Sequence, residues 1–225
     1  MSSRPCWAHT LRSTPFAPLS GRCAMKPRSA GHLCVSLITQ RESKTSKMLT
    51  KVLAFWLNEI DPNQWRMFDP SFDSLLEKRF LNLLQQASAG ELFAWRETPR
   101  GRLGEVIVLD QFSRNIYRGT ALAFAQDPMA LVLAQEAVAA GVLRELINEE
   151  ERGFLLMPYM HSESRVIHVQ AEALFKQHAP SRYEPELRHK AIIDRFGRYP
   201  HRNKILDRAS TPEEMEFLTL PGSSF

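Results

Sequence analysis

Beyond residue 47 this sequence has no cysteine; Cys6, Cys23 and Cys34 all lie upstream. A disulfide, a thiolate metal site and cysteine catalysis are therefore excluded for the remainder of the chain unless the first segment folds into it. A reducing, cytoplasmic setting is the expectation. Long apolar runs are missing too, since no stretch approaches the roughly 18 uninterrupted apolar residues of a spanning helix, and no membrane association is expected. The period-two alternation and glycine-rich hairpin turns of a sheet are also absent. Acidic residues are nearly lacking from residues 1–47, where Arg4, Arg12, Arg22, Lys26, Arg28, Arg41, Lys44 and Lys47 face the single acid Glu42. The formal charge of the whole is +4, so the chain after residue 47 is net acidic. A nucleic-acid partner is not expected there, because phosphate neutralisation needs a basic face.

Residues 1–47 are rich in Ser, Arg and Pro and show no sustained periodicity, which predicts a disordered leader. An organellar transit peptide has such a composition, and so does an over-extended start with Met48 as the natural first residue. Import into an organelle is expected only if the segment is a genuine transit peptide. Residues 48–220 are expected to form one domain, with 221–225 as a short tail.

What remains is helical in period. Val52, Phe55, Trp56 and Ile60 form one stripe of a first helix that ends at Asp61-Pro62. A second helix is expected from about Ser71 to Ala89, stopped by Gly90. Thr98-Pro99 and Asp127-Pro128 read as cap-and-proline helix starts, the latter helix closed by Gly141. Further helices are expected over Asn148–Met157, Ser162–His178 and Pro185–Phe196, with a capping box at Thr211 to Glu214. Val106 to Leu109 reads as a buried helical turn. The fold class is therefore all-α, built from antiparallel helix pairs packed as a compact bundle or a superhelix.

Three segments are denser in polar side chains than helix packing requires. In Asp110-Gln111-Phe112-Ser113-Arg114-Asn115-Ile116-Tyr117-Arg118, Asp110 pairs with Arg114 at i, i+4, extended by Asn115 and Arg118. In Met157-Pro158-Tyr159-Met160-His161-Ser162-Glu163, proline is expected to break a helix and set His161 and Glu163 at the mouth of the next one, where free N–H groups favour anions. The third segment, Arg195 to Asn203, gathers Arg195, Arg198, His201 and Arg202 on a turn shaped by Gly197 and Pro200.

These stretches, LDQFSRNIYRGT, MPYMHSE and RFGRYPHRN, together with Phe55-Trp56, resemble the bacterial family catalogued as domain of unknown function 924. The resemblance spans Val52 to Leu218. It implies an all-helical fold similar to tetratricopeptide repeats, a right-handed superhelix, and no established activity. The family motif reads DQFPRN, so Ser113 stands here where a proline is usual and the local backbone is less constrained.

One reading makes the polar residues a structural network, with Arg114, Arg195 and Arg202 satisfied by Asp110, Glu163 and Asp194. Arginines outnumber carboxylates in the three segments, however, and an external anion would complete the pairing. The functional expectation is thus a cleft binding a small phosphate- or carboxylate-bearing molecule, with Arg114, Asn115, Arg118, Arg195, Arg198, Arg202 and Asn203 as ligand-binding residues. If there is chemistry, hydrolysis or phosphate transfer suits the set: His161 and His201 as acid and base, Glu163 or Asp110 orienting one of them. No cofactor is expected. A metal on His161, Glu163, His189 and His201 is disfavoured, since no pair has the i, i+4 spacing of a helical metal motif. His189 is expected to be a core histidine. The alternative function is a non-enzymatic, tetratricopeptide-like interaction scaffold with a protein partner.

Overall fold

The computed structural model describes residues 46–65 and 68–224, and every described residue belongs to one compact unit, residues 40–225. The expectations for residues 1–45 lie outside the described residues. The chain is all-helical, with no strand among the described residues. Helix α1 (46–54) continues into a wider π-helical turn, Phe55–Glu59, and ends at Ile60, directly before Asp61-Pro62. Then come α2 (Pro70–Ser88), α3 (Pro99–Ile107), α4 (Ser113–Ile116), α5 (Asp127–Ala139), α6 (Glu149–Met160), α7 (Arg165–His178), α8 (Tyr183–Phe196) and α9 (Pro212–Phe217).

Local chemistry explains most of these boundaries. Asp69 caps α2 by accepting from the N–H of Ser71 and Phe72, and Thr98 caps α3 by accepting from Gly101. Thr211 and Glu214 form the reciprocal capping box expected of them. Gly141 and Gly197 end their helices in the left-handed region, at φ 80° and 72°. Pro158 does not end α6, which runs on to Met160. It falls in the last turn, where one lost hydrogen bond is offset by packing, since Pro158 and its neighbours Tyr159 and Met160 are buried. Accordingly His161 caps the C-terminus of α6, and Ser164, three residues later, stands before α7. His161 therefore sits at the end of α6 rather than at the mouth of α7, whereas Glu163 directly precedes the α7 cap.

The buried axis of the molecule is α3, the π-helical turn Val108–Phe112 and α4 taken together. Val106 to Leu109 is helical throughout, as its pattern suggested. Residues 103–113 are all buried. Helices α5 and α6 lie against α3, α2 against the π turn and α4, and α7 packs between α6 and α8. Gly101 permits the closeness of α3 to the preceding turn, because a Cβ there would stand 1.8 Å from Trp95 O. Trp56 is wholly buried and meets Phe112 and Phe154 edge-on at centroid distances of 5.4 and 5.8 Å, while Phe80 lies 4.9 Å from Phe112. Burial of each such ring contributes about 1.5–3 kcal/mol.

Ser113, at the usual proline position, is fully buried, and its hydroxyl meets no hydrogen-bond partner. A stranded hydroxyl of this kind costs about 1–3 kcal/mol. Ser113→Ala is therefore expected to raise stability by about 1 kcal/mol, read from urea denaturation. An unchanged or lower midpoint would mean that the hydroxyl is satisfied in solution.

Candidate functional site

The π turn opens the helical rod where it carries Asp110 and Gln111, and π turns inside α-helices recur at functional sites. Asp110 is completely buried. Its Oδ1 lies 2.7 Å from Nδ1 of His161 and 3.0 Å from Arg114, and Gln111 donates to Oδ2. Arg114 reaches onward with two parallel 2.9 Å bonds to Asp127, the first residue of α5. Arg202 donates to the same Asp127 carboxylate at 3.2 Å. Two guanidinium groups therefore share one carboxylate beside a carboxylate–histidine pair.

Of these groups, Arg114, His161 and Arg202 border a cavity of about 550 Å³. Arg114, Asn115, Arg118, His161, His201 and Arg202 all line it, so residues from the three separated motifs do meet. Trp65, Phe124, Met157, Met160, Pro185 and Ile205 supply apolar wall. Arg182 and Arg188, which the sequence reading did not single out, complete the lining with His189 and Tyr199. Gly153 makes room for Arg182: a Cβ there would sit 2.5 Å from its Nε.

Five expected site residues do not line the cavity: Asp110, which is buried behind His161 and Arg114, and four that are engaged elsewhere. Arg195 is half-exposed and pairs with Glu213 on the surface. Arg198 holds Glu214 by two 2.7 Å bonds and also donates to Ala209 O. Asn203 donates to Ser210 and Glu214. Glu163 accepts two bonds from Arg208 and one from the Tyr199 N–H, which leaves it a structural tie rather than an orienting group for a histidine. The partners Asp127, Asp73, Glu213 and Glu214 come from elements remote in sequence, so local spacing could not reveal them. His189 is buried as expected, with Nδ1 on Pro185 O at 2.8 Å, yet its ring also faces the cavity.

The backbone on both sides of His161 is fixed. Tyr199 Oη donates to Met160 O at 2.5 Å, and His168 Nε2 donates to Ser162 O at 2.9 Å. His168 Nδ1 lies 2.7 Å from Glu186, both side chains having no exposure. A carbonyl oxygen only accepts, so His168 Nε2 carries a proton and a second proton lies between Nδ1 and Glu186. This second carboxylate–histidine pair was not legible in the sequence, where His168 and Glu186 stand on ordinary helical faces.

Electrostatics separates the histidines from the cations. Burial pushes the Asp110 carboxyl up, but Arg114 and His161 outweigh it and hold the group far below the usual carboxylate range. Burial, reinforced by Arg114, lowers His161. Burial pushes His201 down to about 4 and His189 down to about 3. At pH 7 these three rings are neutral, with Asp110 ionised. Asp110 then accepts from Nδ1 of His161 and leaves its Nε2 with a lone pair. Among the described residues no three His, Cys, Asp or Glu side chains are grouped as metal ligands, and no helix is long and apolar enough to cross a membrane.

Residues 52–222 match the model of a family described as a bacterial protein of unknown function, DUF924. The chain is also 34% identical to a protein of unknown function from Agrobacterium tumefaciens whose structure is solved; the match covers 77% of this chain and 98% of that one, with a TM-score of 0.73. A search of curated proteins finds no match.

Proposed function

As the chain belongs to the bacterial DUF924 family, we propose that its members' shared fold serves here to bind a small anionic molecule, carboxylate- or phosphate-bearing, in the cavity beside His161. The observation that carries this reading is the convergence of five arginines and the Asp110–His161 pair on one cavity of about 550 Å³. That size lies within the roughly 300–1,000 Å³ of small-molecule sites, which favours a metabolite over the peptide of an interaction scaffold.

Chemistry at the site would run through His161. A neutral imidazole whose Nδ1–H is held by an ionised carboxylate is oriented to accept a proton at Nε2 from water or from a ligand hydroxyl. Arg114 and Arg202 stand near enough to the same cavity to stabilise negative charge that develops on the ligand. Hydrolysis of an ester or anhydride is the reaction class that suits a base and two guanidinium groups. His201, neutral at pH 7, has no imidazolium proton to give, so the expected pairing of His161 and His201 as base and acid is not the division of labour the site supports best.

The test is a thermal-shift screen of the full chain against organic acids and phosphorylated metabolites. A true ligand at about a hundred times its dissociation constant adds about 2.7 kcal/mol of stability. His161→Asn, which can still donate to Asp110, should keep that stabilisation and lose any turnover. If no acid or phosphorylated compound moves the melting temperature while peptides bind, the scaffold alternative replaces this reading.

A further inference from the structure

We propose that the cavity takes a singly charged carboxylic acid with an apolar body, its carboxylate held by the Nε edge of Arg202 and its charge balanced by Arg188. The inference rests on the anion-binding reading above and narrows it. Arg202 is almost wholly buried, and its Nε is a buried donor with no acceptor. Only Nη1 reaches Asp127. Elsewhere in this molecule the Nε–Nη2 edge is the one that grips a carboxylate side-on: Arg96 holds Glu105, Arg118 holds Asp73 and Arg198 holds Glu214 in that way. Arg202 lines the cavity, and no protein carboxylate lies on this edge of it. Phe124 and Tyr199 lie against its guanidinium, at 4.6 and 4.5 Å from their ring centroids, and fix the plane in which an acceptor must lie. A buried donor left this way is costly unless something accepts from it, and a ligand oxygen would.

Charge counting selects one negative charge over two. Arg114 and Arg202 are balanced by Asp110 and Asp127, Arg118 by Asp73, and Arg182 by Glu150. Arg188 is exposed at the cavity wall and makes no ion pair with a described residue. With the cavity histidines neutral, the described lining holds one arginine, Arg188, without a carboxylate partner among the described residues. A carboxylate cancels its charge, whereas a phosphate monoester brings about −1.5 to −2 at neutral pH and would leave charge unmatched in a partly apolar enclosure. The apolar wall of Trp65, Phe124, Met157, Met160, Pro185 and Ile205 is then covered by the rest of the acid.

Calorimetric titration of the full chain with 2-naphthoate, 2-naphthamide and 2-naphthyl phosphate tests this at a constant apolar body. The expected result is that the carboxylate binds at least about tenfold more tightly than either of the others, the equivalent of about 1.4 kcal/mol. Arg202→Lys, which keeps the charge and removes the side-on edge, should weaken naphthoate about tenfold or more. Because Arg202 is buried and that variant could fold poorly, Arg188→Gln on the exposed wall is the second arm: several-fold weaker naphthoate, unchanged naphthamide and an unchanged melting temperature. Naphthyl phosphate binding more tightly than naphthoate would overturn the single-charge inference and leave the anion-binding reading standing. Naphthamide equal to naphthoate would overturn both. Silence from all three compounds, with a small acid or phosphate active in the thermal screen, would overturn the apolar-body inference alone.

Discussion

Asp127→Asn is expected to cost the fold about 3–5 kcal/mol, the range for removing one member of a buried ion cluster. The substitution is nearly isosteric, so the loss is electrostatic. Asp127 is the carboxylate that Arg114 and Arg202 share, and both guanidinium groups are largely withdrawn from water. Without it Arg202, whose Nε already lacks an acceptor, keeps no carboxylate at all. Asp110→Asn is expected to cost about half as much, although Asp110 is the more deeply buried of the two, because Arg114 then retains its two bonds to Asp127. Urea denaturation of both variants at pH 7 checks the order. Equal losses would show that Arg202 does not depend on Asp127 for its neutralisation.

The second large effect is acid lability, with a sign set by the cavity histidines. His161, His189 and His201 all titrate below the ordinary histidine value in the fold, the latter two at about 3 and about 4. In the unfolded chain each regains a pKa near 6.5. Between these values the unfolded state binds protons that the fold refuses, so stability is complete above about pH 6.5 and falls as the pH falls. For His201 the loss is about 3 kcal/mol by pH 4, at 1.36 kcal/mol for each pKa unit. His189 continues the decline toward pH 3. Glu186, whose carboxyl burial pushes up, opposes the trend as one group against three. The depressed carboxyls of Asp110 and Glu163 add their own losses only below about pH 4.5. The melting temperature should therefore drop steadily between pH 6.5 and 4, before ordinary carboxylates protonate, and His201→Asn should flatten that slope. A melting temperature that holds level from pH 7 to 5 would contradict the burial of these rings.

The helices and the general address of the site were legible in the chain itself, and the pairing of charges was not. Capping side chains, prolines at first helical positions and glycines at helix ends act within a few residues, which is why α2, α3, α8 and α9 begin or end where the sequence indicates. Apolar periodicity likewise marked the buried faces, and the polar excess of three motifs marked His161, His201, Arg114 and Arg202 as residues of a single cavity. Tertiary structure alone decided which arginines are paired within the fold and which line the cavity. Arg198 and Arg195 are neutralised by Glu214 and Glu213 from α9, Arg118 by Asp73 from α2, and Glu163 is occupied by Arg208. It also revealed Arg188, which looks like any exposed helical arginine until α8 is packed beside the cavity. The physical reason is one of range. Helix initiation and termination depend on backbone groups within about one turn, whereas an ion pair forms between whatever charges packing brings within about 4 Å, and sequence separation carries no information about that distance.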